Sequence, residues 1–459
     1  MIFALFLVYL SLSYLNPGEV FPALAPYRVT YWVGMIGLVI AFGSLITRRG
    51  GPAATLQLWF LITFTLLMGV SLMVADRWIG APIFALQRFG PSLTMFVLAI
   101  CGIDSLRKLR IATMFIVLSS LILVAEGILA FHFGYNKKMF LFDPTTRGEY
   151  AYWADGADSV DAGSADDESA DDDAVDDESE GSLLPRIRGL GSMHDPNDLA
   201  ADLVVAVALL VSGWRKDHRL RNIVVVVLPA AALAYGVFLT RSRGGAVALV
   251  VLLWRAAVGR VGRVPAVILL VLLGAGIAGV NFGGGRSLTG NDNDSASDRV
   301  TAWTEGFEML KSQPMLGVGY GQFLDHHDIT AHNSLVLCFA ETGLVGCFFW
   351  IGLLVITFLE LRRLKQLPGT EPLDRSLASW ANVLQLALIG FLTACFFLSR
   401  TFVPTLYLLI GLAVGLALVA RQANRPISLP ILPQLGGIIF ACELGSIAIV
   451  YLVVKLRVV

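Results

Sequence analysis

The sequence is short of charge. Only 15% of its residues are Asp, Glu, Lys or Arg, where a soluble chain carries roughly a quarter. Cysteine chemistry is scarce as well: Cys101, Cys338, Cys347, Cys395 and Cys442 stand singly inside apolar runs, with no CxxC pair and no metal spacing. That pattern argues against a disulfide scaffold or a zinc module and reads the five as small residues of membrane helices. Gly-x-Ser-x-Gly and HExxH are missing, which lowers the case for an intramembrane hydrolase. EF-hand spacing is missing, and no internal repeat supports an inverted-repeat transporter. The opening "MIFALFLVYLSLSYLNP" lacks a basic n-region and a small-residue cleavage site, so it is expected to stay as a short first span.

Hydrophobicity is what the chain has in excess, at 56% of residues. Apolar runs of about 20 residues recur, which predicts an all-α, polytopic transmembrane helical bundle of about 12–13 spans with a partly helical external loop. The spans are expected near 2–15, 30–47, 54–74, 83–102, 111–133, 197–213, 222–240, 244–259, 264–281, 334–360, 377–398, 404–420 and 435–454. They group as N-terminal helices (1–133), an external loop (134–196), central helices (197–281), a second external loop (282–333) and C-terminal helices (334–459).

The net charge of -1 conceals an asymmetry. Thirteen acids and no base lie between Asp155 and Glu180, and the remainder holds 34 basic against 22 acidic residues. The acidic insert (154–181) has almost no apolar residues and is expected to be disordered. "TRRGG", "DSLRKLR", "WRKDHRLR", "RAAVGRVGR", "RRLK" and "ARQANR" fall at every second connection. The positive-inside rule makes those connections cytoplasmic, with the N-terminus inside and the two long loops outside. In the second loop, Val300, Trp303, Phe307 and Leu310 recur at helical spacing, with Ser297 as a cap, Asp298 in the first turn and Pro314 as the stop. This predicts an amphipathic helix on the outer face.

Three outer clusters break the charge rule. In "TRSRGG", Arg241 and Arg243 sit at a tight turn between spans. Snorkelling is the plain reading; a guanidinium fork for phosphate oxygens is the chemical one. In "RIRGLGSMHDPNDLAADL", an Asp195 cap followed by Pro196 explains much of the stretch. It does not explain Arg188, nor Asn197 at the mouth of a span, where an amide needs a hydrogen bond. The third cluster is His332-Asn333, at the lip of an apolar run. A histidine there is commonly an ordinary surface residue, yet its usual pKa of about 6.5 suits a proton acceptor near neutral pH. Glu341 lies about two turns further along, too far to touch His332, and is expected to pair with a basic or amide group in the bundle. "GVGYGQF" lacks the context of a phosphate loop and reads as a tight turn. "HHDITAH", with His326, His327, Asp328 and His332, lacks standard metal spacing.

Taken in order, these pieces resemble the bacterial O-antigen ligase and O-antigen polymerase family of membrane glycosyltransferases. "RGLGSMHDPNDLA" is similar to the family's Arg-x-x-Gly segment, and "TRSRGG" to its Ser-Arg-Gly turn. "HNSLVLCFAETGLVG" is similar to its His-Asn, nine residues, Gly-x-x-Gly motif, and "SQPMLGVGYGQF" to the stretch that commonly precedes it. The resemblance covers roughly 185–365, and the chain departs from the family in its acidic insert just before Arg188. It implies transfer of a glycan from a polyprenyl-diphosphate-linked donor to a hydroxyl of a glycan or lipid acceptor, on the outer face of the bacterial inner membrane. No cofactor, metal, nucleotide sugar or nucleic acid is implied. His332, Arg243 and Arg188 would then be catalytic, with Arg241, Asn333, Asn197, Arg299, Arg400 and Glu341 toward the substrates. Gly343 and Gly346 would let helices pack closely beneath. A polymerase would use nearly the same donor site, and transfer to a protein hydroxyl is a third option. A transporter of lipid-linked anions is the reading from another class, and a structural membrane protein the plainest.

Overall fold

In the computed structural model, residues 1–47, 51, 55–142, 185–262, 264 and 292–457 are described. The acidic insert and the expected span 264–281 lie outside them. The helices are α1 (Ile2–Leu15), α2 (Val29–Thr47), α3 (Leu56–Asp76), α4 (Ala81–Gly102), α5 (Leu106–Phe133), α6 (Pro196–Leu210) and α7 (Leu228–Leu239). They continue with α8 (Arg243–Val261), α9 (Asp292–Ser312), α10 (Ser334–Lys365), α11 (Pro372–Cys395), α12 (Pro404–Gln422) and α13 (Leu432–Arg457). The described strands are β1 (Leu141–Phe142) and β2 (Arg186–Ile187), paired antiparallel.

Ten of the described helical segments are long and apolar enough to cross a membrane, and α1 is a shorter apolar helix. All ten coincide with expected spans, including the last at Leu432–Leu456, and α8 is helical where another was expected. The chain is an all-α, multi-pass membrane protein. Its layers follow from hydropathy. α12 is apolar all round and is the centre, with 89% of its span window buried. α13 and the Pro22–Leu45 span are peripheral, each only 22% buried. The outer side of α2 presents Tyr31, Trp32, Met35, Ile36, Val39 and Phe42, which suits contact with lipid tails.

Two elements differ from the sequence expectation. α9 starts at Asp292, so Ser297 lies inside the helix rather than at its cap. It is also packed into the bundle: Phe307 meets Phe339 of α10 at 5.0 Å and Tyr451 of α13 at 5.6 Å. The expected span 334–360 is broken at Gly343, whose φ of 64° and ψ of -171° are not helical. The N–H groups released there are satisfied by the preceding loop, with Leu344 N donating to Pro314 O (2.9 Å) and Val345 N to Met315 O (3.3 Å). Only glycine suits this place, because a Cβ on Gly343 would lie 2.4 Å from the Met315 backbone. The close approach is thus between a loop and a helix rather than between two helices.

Candidate active site

Three helix starts carry the candidate residues. α6 is capped by Asp195, which accepts from Asn197 N (2.6 Å); α8 by Ser242, which accepts from Gly245 N (3.1 Å). Asn333 caps α10, accepting from Leu335 N (2.9 Å) and Val336 N (3.2 Å). The residues just before the last two caps, Arg241 and His332, share a left-handed backbone with φ of 51° and 46°. That conformation is uncommon outside glycine and is kept where surrounding structure enforces it, often at functional sites.

The three starts are linked by a circuit of hydrogen bonds with one repulsive step, between Arg243 and Arg299. Ser334 Oγ donates to Leu398 O (2.6 Å) and accepts from Arg400 N (2.8 Å). The Arg400 guanidinium forks onto both carboxylate oxygens of Asp198 in the first turn of α6. Next to Asp198, Asn197 accepts from Arg186 (3.2 Å), whose Nε donates to Thr240 O (2.8 Å) at the "TRSRGG" turn. Past that turn, the Arg243 guanidinium lies near enough to Arg299 of α9 for the two like charges to repel. One turn along α9, Trp303 Nε1 donates to Ala331 O (2.8 Å), beside His332. Thr330 Oγ1 closes the circuit through Ser399 Oγ (2.8 Å). The paired glycines of "SRGG" make the fit possible. A Cβ on Gly244 would come 3.0 Å from Phe397 Cβ, and one on Gly245 would come 2.5 Å from Ala200 Cβ.

The electrostatics of this ring favour an anion. Three helix N-termini contribute the positive ends of their dipoles. Arg241 has no partner for its guanidinium among the described residues, and Arg243 is exposed. Arg299 is half-buried, and burial together with the Arg243 charge lowers its pKa from the usual arginine value. Arg400 differs: burial works against its charge, but Asp198 and Asp195 outweigh this and raise its pKa. The structure therefore brings together His332, Asn333, Arg241, Arg243, Asn197, Arg299 and Arg400.

Arg188 and Glu341 have other partners. Arg188 is buried, and its Nε and one Nη donate to Met139 O (3.0 Å) and Lys138 O (2.8 Å). The Glu341 carboxylate accepts from Gly321 N (2.9 Å) and Phe323 N (3.3 Å), so its expected amide partners are backbone amides of the "GVGYGQF" turn. His326 and His327 engage Gln322 O and Ile329 O through Nδ1, and no group of three or more His, Cys, Asp or Glu among the described residues is arranged for a metal.

Residues 228–351 match the family model described as O-antigen ligase. This stretch is similar to O-antigen ligases. It holds the "TRSRGG" turn, α9, the docked loop and His332, which are the parts carrying half of the circuit. The match supports ligase- or polymerase-like glycosyl transfer in a membrane, acting on lipid-linked glycans. No curated protein matches the chain. Two circuit residues outside the matched stretch, Arg186 and Asp198, escaped the sequence reading. The signals were there: "RIR" places Arg186 beside Arg188, and an arginine such as Arg400 at a span mouth calls for an acid such as Asp198.

Proposed function

We propose that the chain transfers a glycan from a polyprenyl diphosphate carrier to an acceptor hydroxyl, on the outer face of the bacterial inner membrane, as an O-antigen ligase does. The observation that carries this reading is the gathering of His332 and four arginines around three helix N-termini: Arg241 and Arg243 at the start of α8, Arg299 within α9 and Arg400 in the loop before α12. A diphosphate leaving group gathers negative charge as the glycosidic bond breaks. Arg243, Arg241 and Arg299 present charged donors for its oxygens, with the helix starts behind them. Arg400 is tied to Asp198 and holds the His332 segment against α6. Arg188 contributes by fixing the strand pair on which Arg186 stands.

His332 accepts the proton of the acceptor hydroxyl. The acceptor oxygen then bonds to the sugar carbon, the carbon–oxygen bond to the diphosphate breaks, and the carrier leaves as its diphosphate. Asn333 serves as the cap that sets the backbone of His332. Asp328→Asn and similar changes on the exposed loop leave this chemistry intact. The basic loops at the opposite end of the bundle support the outward placement of the site.

The test is deletion of the gene, with wild-type or His332→Ala copies restored and lipid-linked glycans analysed. Long carrier-linked chains that only wild type clears mark a ligase; single repeat units on the carrier mark a polymerase of the same family. Loss of a general base reduces transfer by about 10²–10⁴-fold while folded protein stays in the membrane. Undiminished transfer by purified His332→Ala protein would remove the general-base role.

A further inference from the structure

The end of the bundle opposite His332 carries a cavity of about 240 Å³. Arg110 from the second turn of α5, Ser212 just beyond α6, and Arg375, Ser376, Ser379 and Trp380 from the start of α11 line it. Both guanidinium groups are exposed, and neither has a hydrogen bond or ion pair among the described residues. The acids nearby are already engaged: Asp104 with Lys108 (2.6 Å), and Asp374 (2.7 Å) and Glu371 (2.6 Å) with Arg425. The hydroxyls of Ser212 and Ser379 likewise have no partner among the described residues, and Ser376 Oγ donates to Pro372 O (2.9 Å), leaving its lone pairs available.

Two like charges turned into one polar concavity repel unless an anion lies between them. The N-terminal turns of α5 and α11 flank the cavity and add their positive dipole ends. Arginine forks with hydroxyl donors are the usual recognition set for phosphate oxygens. The cavity lies at span ends, at headgroup level, and buried Trp380 gives it an apolar side suited to a glycerol backbone.

We propose that this cavity binds a phosphate group through Arg110, Arg375, Ser212 and Ser379, at a site separate from the transfer chemistry. A phospholipid headgroup and free inorganic phosphate share that chemistry. The experiment uses purified full-length protein in neutral detergent. Native mass spectrometry follows binding of phosphatidylglycerol and phosphatidylcholine, and thermal unfolding compares inorganic phosphate with chloride at equal ionic strength. The comparison is between wild type, Arg110→Gln/Arg375→Gln, and a control pair, Arg362→Gln/Arg363→Gln, which removes equal charge from exposed positions at the same end.

The pocket pair weakens binding about tenfold or more, and the control pair leaves it within about twofold. A response to phosphatidylglycerol alone identifies a headgroup; a response to inorganic phosphate identifies the free anion; either supports the site. Ser379→Trp, which keeps both arginines and fills the cavity, produces the same loss should the double variant fail to fold. Equal weakening in the control pair, or no response to either probe by folded wild type, overturns the proposal.

Discussion

At the scale of single residues, the site depends on side chains whose partners are all polar and few. Arg400 and Asp198 form a forked pair in which Asp198 is 8% exposed, so removing one partner strands a buried charge. Arg400→Ala is therefore expected to destabilise the protein by about 3–5 kcal/mol. Adding Asp198→Asn returns part of that loss, because the stranded carboxylate is gone. Unfolding of the two single variants and the double variant in detergent measures the coupling, and simple additivity would mean that the pair carries little. Arg400→Lys keeps the charge but gives up the fork, so it tests whether geometry or charge fastens to α6 the segment whose backbone N–H holds Ser334.

At the scale of elements, the decisive unit is the broken helix α10 with the loop laid on it. Gly343 opens the backbone, Pro314 and Met315 fill the opening, and Glu341 clips the turn at Gly321 and Phe323. The next step along the chain is His332, so the loop and α9 together aim it. Gly343→Ala meets the Met315 backbone as well as a positive φ with extended ψ, a glycine-only conformation that by itself costs about 1–3 kcal/mol. The expected outcome is a lower melting temperature together with lost transfer. An unchanged melting temperature would show that the loop docks without this break. Glu341→Leu strands the buried Phe323 N–H, at about 1–3 kcal/mol, and the partly buried Gly321 N–H, and is expected to fall between wild type and Gly343→Ala in a thermal melt.

At the scale of the molecule, the bundle separates a polar end around His332 from a basic end with Arg110, Lys216 and Arg375. The outward placement of His332 is tested with single cysteines in a background where exposed Cys442 is replaced. In spheroplasts, Asp328→Cys is expected to react with an impermeant thiol reagent, and Lys216→Cys only after permeabilisation. The reverse labelling would invert the proposed topology. Apolar runs marked the ten long helices because transfer into lipid acts on each segment alone, whatever its neighbours. The spacing of Trp303 and Phe307 showed α9 for a similar reason, since helical period is a local property. His332, Arg243 and the Asp195 cap were legible as residue types at helix mouths, whereas Ser242 and Asn333 as caps were not. The break at Gly343 was not, because its cause is the Met315 backbone of another segment. Nor was the Arg400–Asp198 fork, nor the bonds that turn Arg188 and Glu341 to backbone. Hydropathy and charge bias thus follow from the sequence by itself, being energies of one segment in its solvent. Which side chains share a partner was decided only by the tertiary structure, because that energy exists only once distant segments have packed.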